Sequence, residues 1–339
     1  MVHVVLLVGA ALAIYFACEW FINAVEWLGV ELAVGRVAVG TVLAAIGTAL
    51  PESVVTLVAV TFGGGAHSKD IGVGAALGGP LVLSTIAYAV VGAMLLTRTR
   101  AAPAPRIDTG RSTSQPVHAD LAHLARDQRW FLAVFVVKVA LGLVAFTFKP
   151  WLGFVFFATY GVYFAGEVGN REGAGAHTDE LEPLKLQRRR PRPSRAAVIL
   201  QTVGTLTVIF GASQLFVHQL EWAGPRLGLS ATVTALLLSP IATELPETMN
   251  AVLWVRQGKT DLALANISGA MMIQATVPSG LGLLFTSWRF GAPLILAGAV
   301  TIASIVYLLT TMRLRRLTAT RLVMTAGFYA AFALALVFV

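Results

Sequence analysis

Two short segments carry the chemistry that this chain could perform. Thr48-Ala-Leu-Pro-Glu52 recurs as Thr243-Glu-Leu-Pro-Glu247, and each copy sets a proline and a carboxylate in the middle of an apolar run long enough to span a bilayer. A carboxylate at membrane depth is costly, and proline removes a backbone hydrogen bond that lipid cannot replace, so neither is expected unless it faces a cavity or a substrate. Thr48 and Glu52 stand at i and i+4, as do Thr243 and Glu247, which puts hydroxyl and carboxylate on one helix face. Hard cations such as Ca²⁺ take about six to eight oxygens, with carboxylates supplying charge and hydroxyls, amides and backbone carbonyls the remainder. Two opposed glutamates neutralise one divalent ion, or bind protons or sodium ions in its place. That mutual exclusion is the basis of antiport, because a site that is always occupied crosses the membrane field without bare charge.

The elements that must hold these residues follow from composition. With 57% hydrophobic and 12% charged residues, a chain of 339 residues has too few charges to clothe a soluble globule. Ten apolar runs of spanning length can be read, at 2–28, 37–62, 71–96, 130–148, 151–168, 196–220, 231–255, 262–285, 292–311 and 322–339. The expected fold is an all-α integral membrane protein of about ten transmembrane helices. The first run lacks a basic flank and leads into a second span, so it reads as a retained helix rather than a cleaved signal. Cys18 is the sole cysteine, which excludes an internal disulfide and any cysteine-based metal site. Metalloprotease, serine-hydrolase and phosphate-loop motifs are missing, so the chain does not read as an enzyme and calls for no cofactor.

Charge placement gives the orientation. With the N-terminus outside, most of the 25 Lys and Arg residues fall in cytoplasmic loops; only Lys69, Lys149, Arg226 and Arg289 fall outside, and Lys138 lies within the fourth span. The run Arg188-Arg-Arg-Pro-Arg192 then reads as an anchor to anionic lipid rather than a nucleic-acid patch. Two polar stretches, 97–129 and 169–195, read as mobile cytoplasmic connections. The second divides the chain into a five-helix unit at 1–168 and another at 196–339. These units match in pattern: Glu26-Trp-Leu-Gly29 and Glu221-Trp-Ala-Gly224 share the spacing of Glu52 and Glu247, and Asp70-Ile-Gly-Val-Gly74 pairs with Asp261-Leu-Ala-Leu-Ala265 after a four-residue shortening. The charge count makes the two motif hairpins enter from opposite faces. An inverted repeat of this kind places a substrate site near the midplane between two gates.

The motifs resemble the alpha repeats of the calcium:cation antiporter superfamily, which includes the sodium/calcium exchangers. They stand here as Gly47-Thr-Ala-Leu-Pro-Glu52 with 70–79, and as Ala242-Thr-Glu-Leu-Pro-Glu247 with 261–270. The resemblance implies exchange of a divalent cation, usually Ca²⁺, against Na⁺ or H⁺ at a central site built from these four helices, in a multi-pass cell membrane protein of the bacterial inner membrane. The departures are informative. The serines expected beside Thr48 and Thr243 are Ala49 and Glu244. Along the next helix of the first half, the family's Asn, Ser and Asn positions read Ala75, Gly79 and Leu83, whereas the second half offers Asn266, Ala270 and Gln274. Carboxylates are kept while neutral oxygens are lost, which leans the counter-ion toward H⁺ and away from Na⁺.

The candidate cation ligands are therefore Glu52, Glu247, Glu244, Thr48, Thr243, Asn266 and Gln274, each with a blander alternative. The glutamates could be structural carboxylates at a kink, the threonines could bond the carbonyl one turn back, and the two amides could be interhelical glue. Glu19, Asn23 and Glu26 of the first helix suit gating or polar packing. Lys138 could pair with a carboxylate such as Glu167 or snorkel to the cytoplasmic surface. Trp20, Trp27, Trp130, Trp151, Trp222 and Trp288 read as interfacial anchors, and Met271-Met272 as core or a softer metal ligand. Besides inorganic cations and membrane lipid, no partner is indicated. The competing functional reading is a degenerate, non-transporting relative that acts as a sensor or scaffold.

Overall fold

The computed structural model describes residues 2–61, 66–101, 120–169, 181–226, 237, 240, 243–336 and 338, and among these every regular element is a helix. In chain order they are α1 (Val2–Glu31), α2 (Arg36–Ala38), a π-helical stretch π1 (Val39–Ala44), α3 (Ala45–Thr61), α4 (Ala66–Val82), a second such stretch π2 (Leu83–Ala87), α5 (Tyr88–Ala101), α6 (Leu121–Leu143), α7 (Leu152–Gly169), α8 (Arg195–Arg226), α9 (Leu245–Arg256), α10 (Thr260–Phe285), α11 (Ala292–Arg313), α12 (Ala319–Val323) and α13 (Ala326–Leu336).

Among the described residues, seven helical segments are long and apolar enough to cross a membrane: Val2–Glu31, Val73–Thr97, Lys149–Gly169, Arg195–Phe216, Thr260–Phe285, Ala292–Arg313 and Ala319–Leu336. Three of the ten expected runs are not among them, for separate reasons. The run 37–62 is a composite of α2, π1 and α3, and the run 231–255 falls partly on residues outside the described set. The run 130–148 belongs to α6, which starts at Leu121 and so takes in His123, Arg126, Asp127 and Arg129. Asp120 sets that earlier start by capping the helix, its Oδ1 accepting from the Ala122 and His123 amides at 3.0 Å each. Val4, Val5, Val8 and Leu12 of α1, Val136 and Val137 of α6, Phe154, Val155 and Val162 of α7, and Ile199, Leu200 and Val203 of α8 are all exposed. Apolar surface of that extent requires lipid around it.

α10 is the axis on which the other helices are mounted. Buried along nearly its whole length, it packs against π1, α3, α4, α6, α7 and α9. Small residues let the backbones touch: a Cβ on Gly269 would stand 2.1 Å from the Thr41 carbonyl oxygen, and one on Gly40 would stand 2.9 Å from the Ala265 Cβ. α1 pairs lengthwise with α8. His3 stacks on Trp222 and reaches Gln219 at 2.7 Å, while Asn23 meets Gln201 at 3.1 Å, so α1 and α8 run antiparallel.

Prolines inside the helices free carbonyls four residues back, and the structure shows where they go. Pro80 of α4 frees the Ala76 carbonyl, which accepts from Lys138 Nζ at 2.6 Å. Lys138 is fully buried, with its ammonium 4.6 Å from the centre of the Phe135 ring. Lys138 therefore does not reach the surface, and Glu167 is held by His123 and Arg126. Pro278 of α10 frees the Gln274 carbonyl, and the Ser279 hydroxyl donates to it at 3.5 Å.

Two further expectations change. Residues 181–195 are docked on the bundle rather than loose: Leu184 is buried, Trp27 Nε1 donates to the Glu182 carbonyl at 2.9 Å, Asn23 Oδ1 accepts from the Lys185 amide at 2.9 Å, and Gln201 Oε1 accepts from the Leu186 amide at 2.8 Å. Asn23 is thereby polar packing, as are Glu19, paired with Lys185, and Glu26, paired with Lys259. Trp27 and Trp288 are buried rather than interfacial, the latter donating to the Lys138 carbonyl at 3.1 Å, while Trp20, Trp130 and Trp151 remain exposed.

The contact of α10 with π1 is directly testable. Gly269→Ala places a methyl against backbone that has no rotamer to yield, so the protein in detergent should lose about 1–3 kcal/mol of stability, seen as a lower unfolding temperature. Gly204→Ala on α8, where nothing lies within 4 Å of an added Cβ, is the matched control and should not lower it.

Candidate cation site

The two carboxylates of the second motif sit at the start of α9, where it meets α3 and α10. Glu244 is the residue just before the helix, and Pro246 and Glu247 occupy its first turn. Proline is tolerated there because first-turn amides have no intrahelical acceptor, and the exposed amides of that turn favour negative charge. The local sequence therefore starts a helix with one acid just before its first turn and one within it.

Glu244 is completely buried, and both of its carboxylate oxygens accept from Gln274 Nε2 at 2.8 Å. Space for this pair comes from the other half of the chain. A Cβ on Gly79 would stand 2.4 Å from Gln274 Oε1 and 2.6 Å from Glu244 Oε1, so glycine at 79 admits both side chains. Glu247 is 1% exposed, and its Oε2 has no hydrogen-bond partner among the described residues. Thr48 of α3 lies beside the Glu247 carboxylate and donates to the Ala44 carbonyl at 3.1 Å. From α1, the Cys18 thiol donates to the Pro246 carbonyl at 3.7 Å. Asn266 Nδ2 donates to the Glu247 carbonyl at 3.2 Å, while its Oδ1, fully buried, lacks a partner among the described residues.

The structure thus gathers Glu244, Glu247, Thr48, Asn266 and Gln274. Glu52 lies in α3 one turn beyond Thr48, with its side chain outside the described residues. Thr243 is half-buried and donates to the Pro240 carbonyl at 3.2 Å, which is the local bonding threonine makes in membrane helices; no described contact ties it to either carboxylate. Met271 accepts from Gln128 Nε2 at 4.0 Å and belongs to the core, as does Met272. One residue was missed. Asn250 is fully buried with both side-chain polar atoms unpartnered among the described residues, and its place three residues after Glu247 puts it on a neighbouring face of the same helix.

Two acids and several amide and hydroxyl groups, buried between helices of a multi-pass membrane protein, define the class: an integral membrane transporter of cations. The family model for the sodium/calcium exchanger protein family matches residues 2–167 and 197–338, and the chain belongs to that family, within the calcium:cation antiporter superfamily. Among similar proteins, "Putative antiporter CaxA" of Alkalimonas amylolytica is 26% identical over 280 residues, covering 81% of this chain and 78% of the relative. Inner membrane protein YrbG of Escherichia coli (strain K12) is 25% identical over 286 residues, covering 83% and 79%. The solved sodium-calcium exchanger NCX_Mj, soaked with Na⁺ and Ca²⁺, superposes with a TM-score of 0.75 at 18% identity, covering 99% of this chain and 98% of that one, so the fold is shared.

The fit of Glu244 and Gln274 against Gly79 predicts an interaction between substitutions. Gly79→Ser alone should destabilise the protein, because its Cβ meets both side chains. Adding Glu244→Ser removes the longer group and should recover at least half of the lost unfolding temperature. Additive losses in the double variant, measured in the same detergent, would mean that the two positions are not packed together.

Proposed function

We infer that the protein is a secondary active antiporter exchanging a divalent cation, with Ca²⁺ the first candidate, for H⁺ by alternating access. The observation that carries this reading is the Glu247 carboxylate: almost wholly buried beside Glu244, with one oxygen lacking a hydrogen-bond partner among the described residues. A buried charge without compensation is expensive, and a divalent cation or a proton removes that cost in exchangeable ways. Glu52, Glu244 and Glu247 supply charge in this reading, while Thr48, Thr243, Asn266 and Gln274 supply neutral oxygens. The preference for H⁺ over Na⁺ rests on the neutral groups that Ala75, Gly79 and Leu83 no longer provide and on Gln274, whose amide is engaged with Glu244.

The architecture we assign is two inverted five-helix repeats, 1–168 and 196–339, joined by the basic linker 169–195, with the N-terminus outside in the bacterial inner membrane. The antiparallel pairing of α1 with α8 supports the inversion, and the similarity to an Escherichia coli inner membrane protein supports the location. The similarity to a CaxA antiporter and to a sodium-calcium exchanger supports the exchange chemistry. The alternative, a non-transporting sensor or scaffold, makes the opposite prediction in a flux assay.

Purified protein in liposomes loaded with Ca²⁺ should release it when a pH gradient is imposed and respond little to an inward Na⁺ gradient at equal pH. Rapid release under Na⁺ with none under the pH gradient would assign sodium coupling instead, and no flux under either would favour the non-transporting relative. Glu247→Gln should cut exchange at least tenfold while the protein still folds, since the substitution removes a buried charge but keeps the volume.

A further inference from the structure

A second group of metal-ligating side chains lies outside the site built around α9. His123 and Asp127 stand at i and i+4 on α6, and Glu167 closes on them from the last turn of α7. One donor atom from each lies within 4.8 Å of the others. His123 Nε2 is 3.0 Å from Glu167 Oε2 and 3.4 Å from Asp127 Oδ2. Those separations match the edges of a tetrahedron around Zn²⁺, which at bond lengths of about 2.0–2.2 Å are roughly 3.3 Å.

The surroundings hold the donors in place. Thr41 of π1 donates to Glu167 Oε2 at 3.2 Å, and Ser268 of α10 donates to Asp127 Oδ2 at 3.3 Å, the kind of outer bonds that orient metal ligands. Asp127 is completely buried, and its Oδ1 has no hydrogen-bond partner among the described residues; Arg126 Nη2 lies 3.8 Å from it. His123 and Asp127 also line a cavity of about 20 Å³ shared with Asp120 and Asp261, room for one ion or water.

We propose that His123, Asp127 and Glu167 form a binding site for a divalent transition-metal ion of the Zn²⁺ class, at the end of the bundle where α6, α7, π1 and α10 meet. One imidazole and two carboxylates suit Zn²⁺ better than Ca²⁺, which needs more oxygens than this cluster offers. Arg126 lies across this cluster: its guanidinium bonds Glu167 Oε1 and lies 3.0 Å from His123 Nδ1. Its side chain is 41% exposed, so it can withdraw into solvent when the ion enters. Because the ligands come from α6 and α7 and their supports from π1 and α10, an ion here ties the helix pair to the elements that build the α9 site.

The test uses the full-length protein in detergent, Zn²⁺ as the probe, and Glu247→Gln as the background so that the first site contributes little. Equilibrium dialysis should show one Zn²⁺ per chain, its binding weakened at least tenfold by His123→Gln and by Asp127→Asn. Equal Zn²⁺ binding before and after these substitutions, or none in either, would overturn the proposal. Since loss of a ligand could also loosen the helix pair, Arg126→Gln supplies a second arm. It keeps all three ligands and removes the competing cation, so Zn²⁺ affinity should rise at least tenfold; unchanged or weaker binding means the acids serve only as partners of Arg126 and overturns it as well.

Discussion

Everything in this molecule is arranged around the cost of keeping Glu244 and Glu247 out of water. Two acids three residues apart, both within 1% of complete burial, repel one another and forgo hydration, and each penalty is several kcal/mol in a protein interior. The chain answers with the start of a helix, whose amides favour negative charge. It adds the Gln274 amide across both oxygens of Glu244 and leaves Glu247 less satisfied. That inequality matters. A fully compensated pair would have nothing to gain from an ion, and a fully uncompensated pair would not stay folded.

The helix packing serves the same constraint. Carboxylates can be withheld from lipid only if the helices around them approach closely enough to exclude it. Gly40, Gly269 and Ala265 let π1 and α10 touch backbone to backbone, and Gly79 lets Glu244 and Gln274 reach across to α4. The exposed apolar faces of α1, α6, α7 and α8 then meet lipid on the outside of that tight centre. Small residues inside and large ones outside reverse the usual pattern of a soluble core, because lipid offers no hydrophobic drive to bring helices together.

Much of this was legible in the sequence. The repeated motif, the apolar runs and the carboxylate at membrane depth needed only residue type and spacing, whereas Glu244, Asn266 and Gln274 were picked out by comparison with the family pattern, Glu244 as a departure from it. What sequence hid was set by contacts between distant segments. Nothing near position 138 says that Lys138 serves a carbonyl freed by Pro80, and nothing in 181–195 says that its backbone is read by Asn23, Trp27 and Gln201. The start of α6 was obscured for a different reason: its first turns are charged, so a search for apolar runs begins after them, whereas Asp120 and burial against α10 fix the helix earlier. That error concealed His123 and Asp127, which look like loop residues until the helix puts them one above the other.

The carbonyls released by the prolines of α4 and α10 are satisfied in different ways. In the first half the carbonyl released by Pro80 is bound by a fixed ammonium, Lys138, which cannot leave; in the second the carbonyl released by Pro278 is bound by the neutral Ser279 hydroxyl. The acids kept in the second motif and the apolar residues Ala75, Gly79 and Leu83 carry the same asymmetry into the surroundings of the site: charge and amide groups come from α9 and α10, while α4 contributes the space that Gly79 leaves.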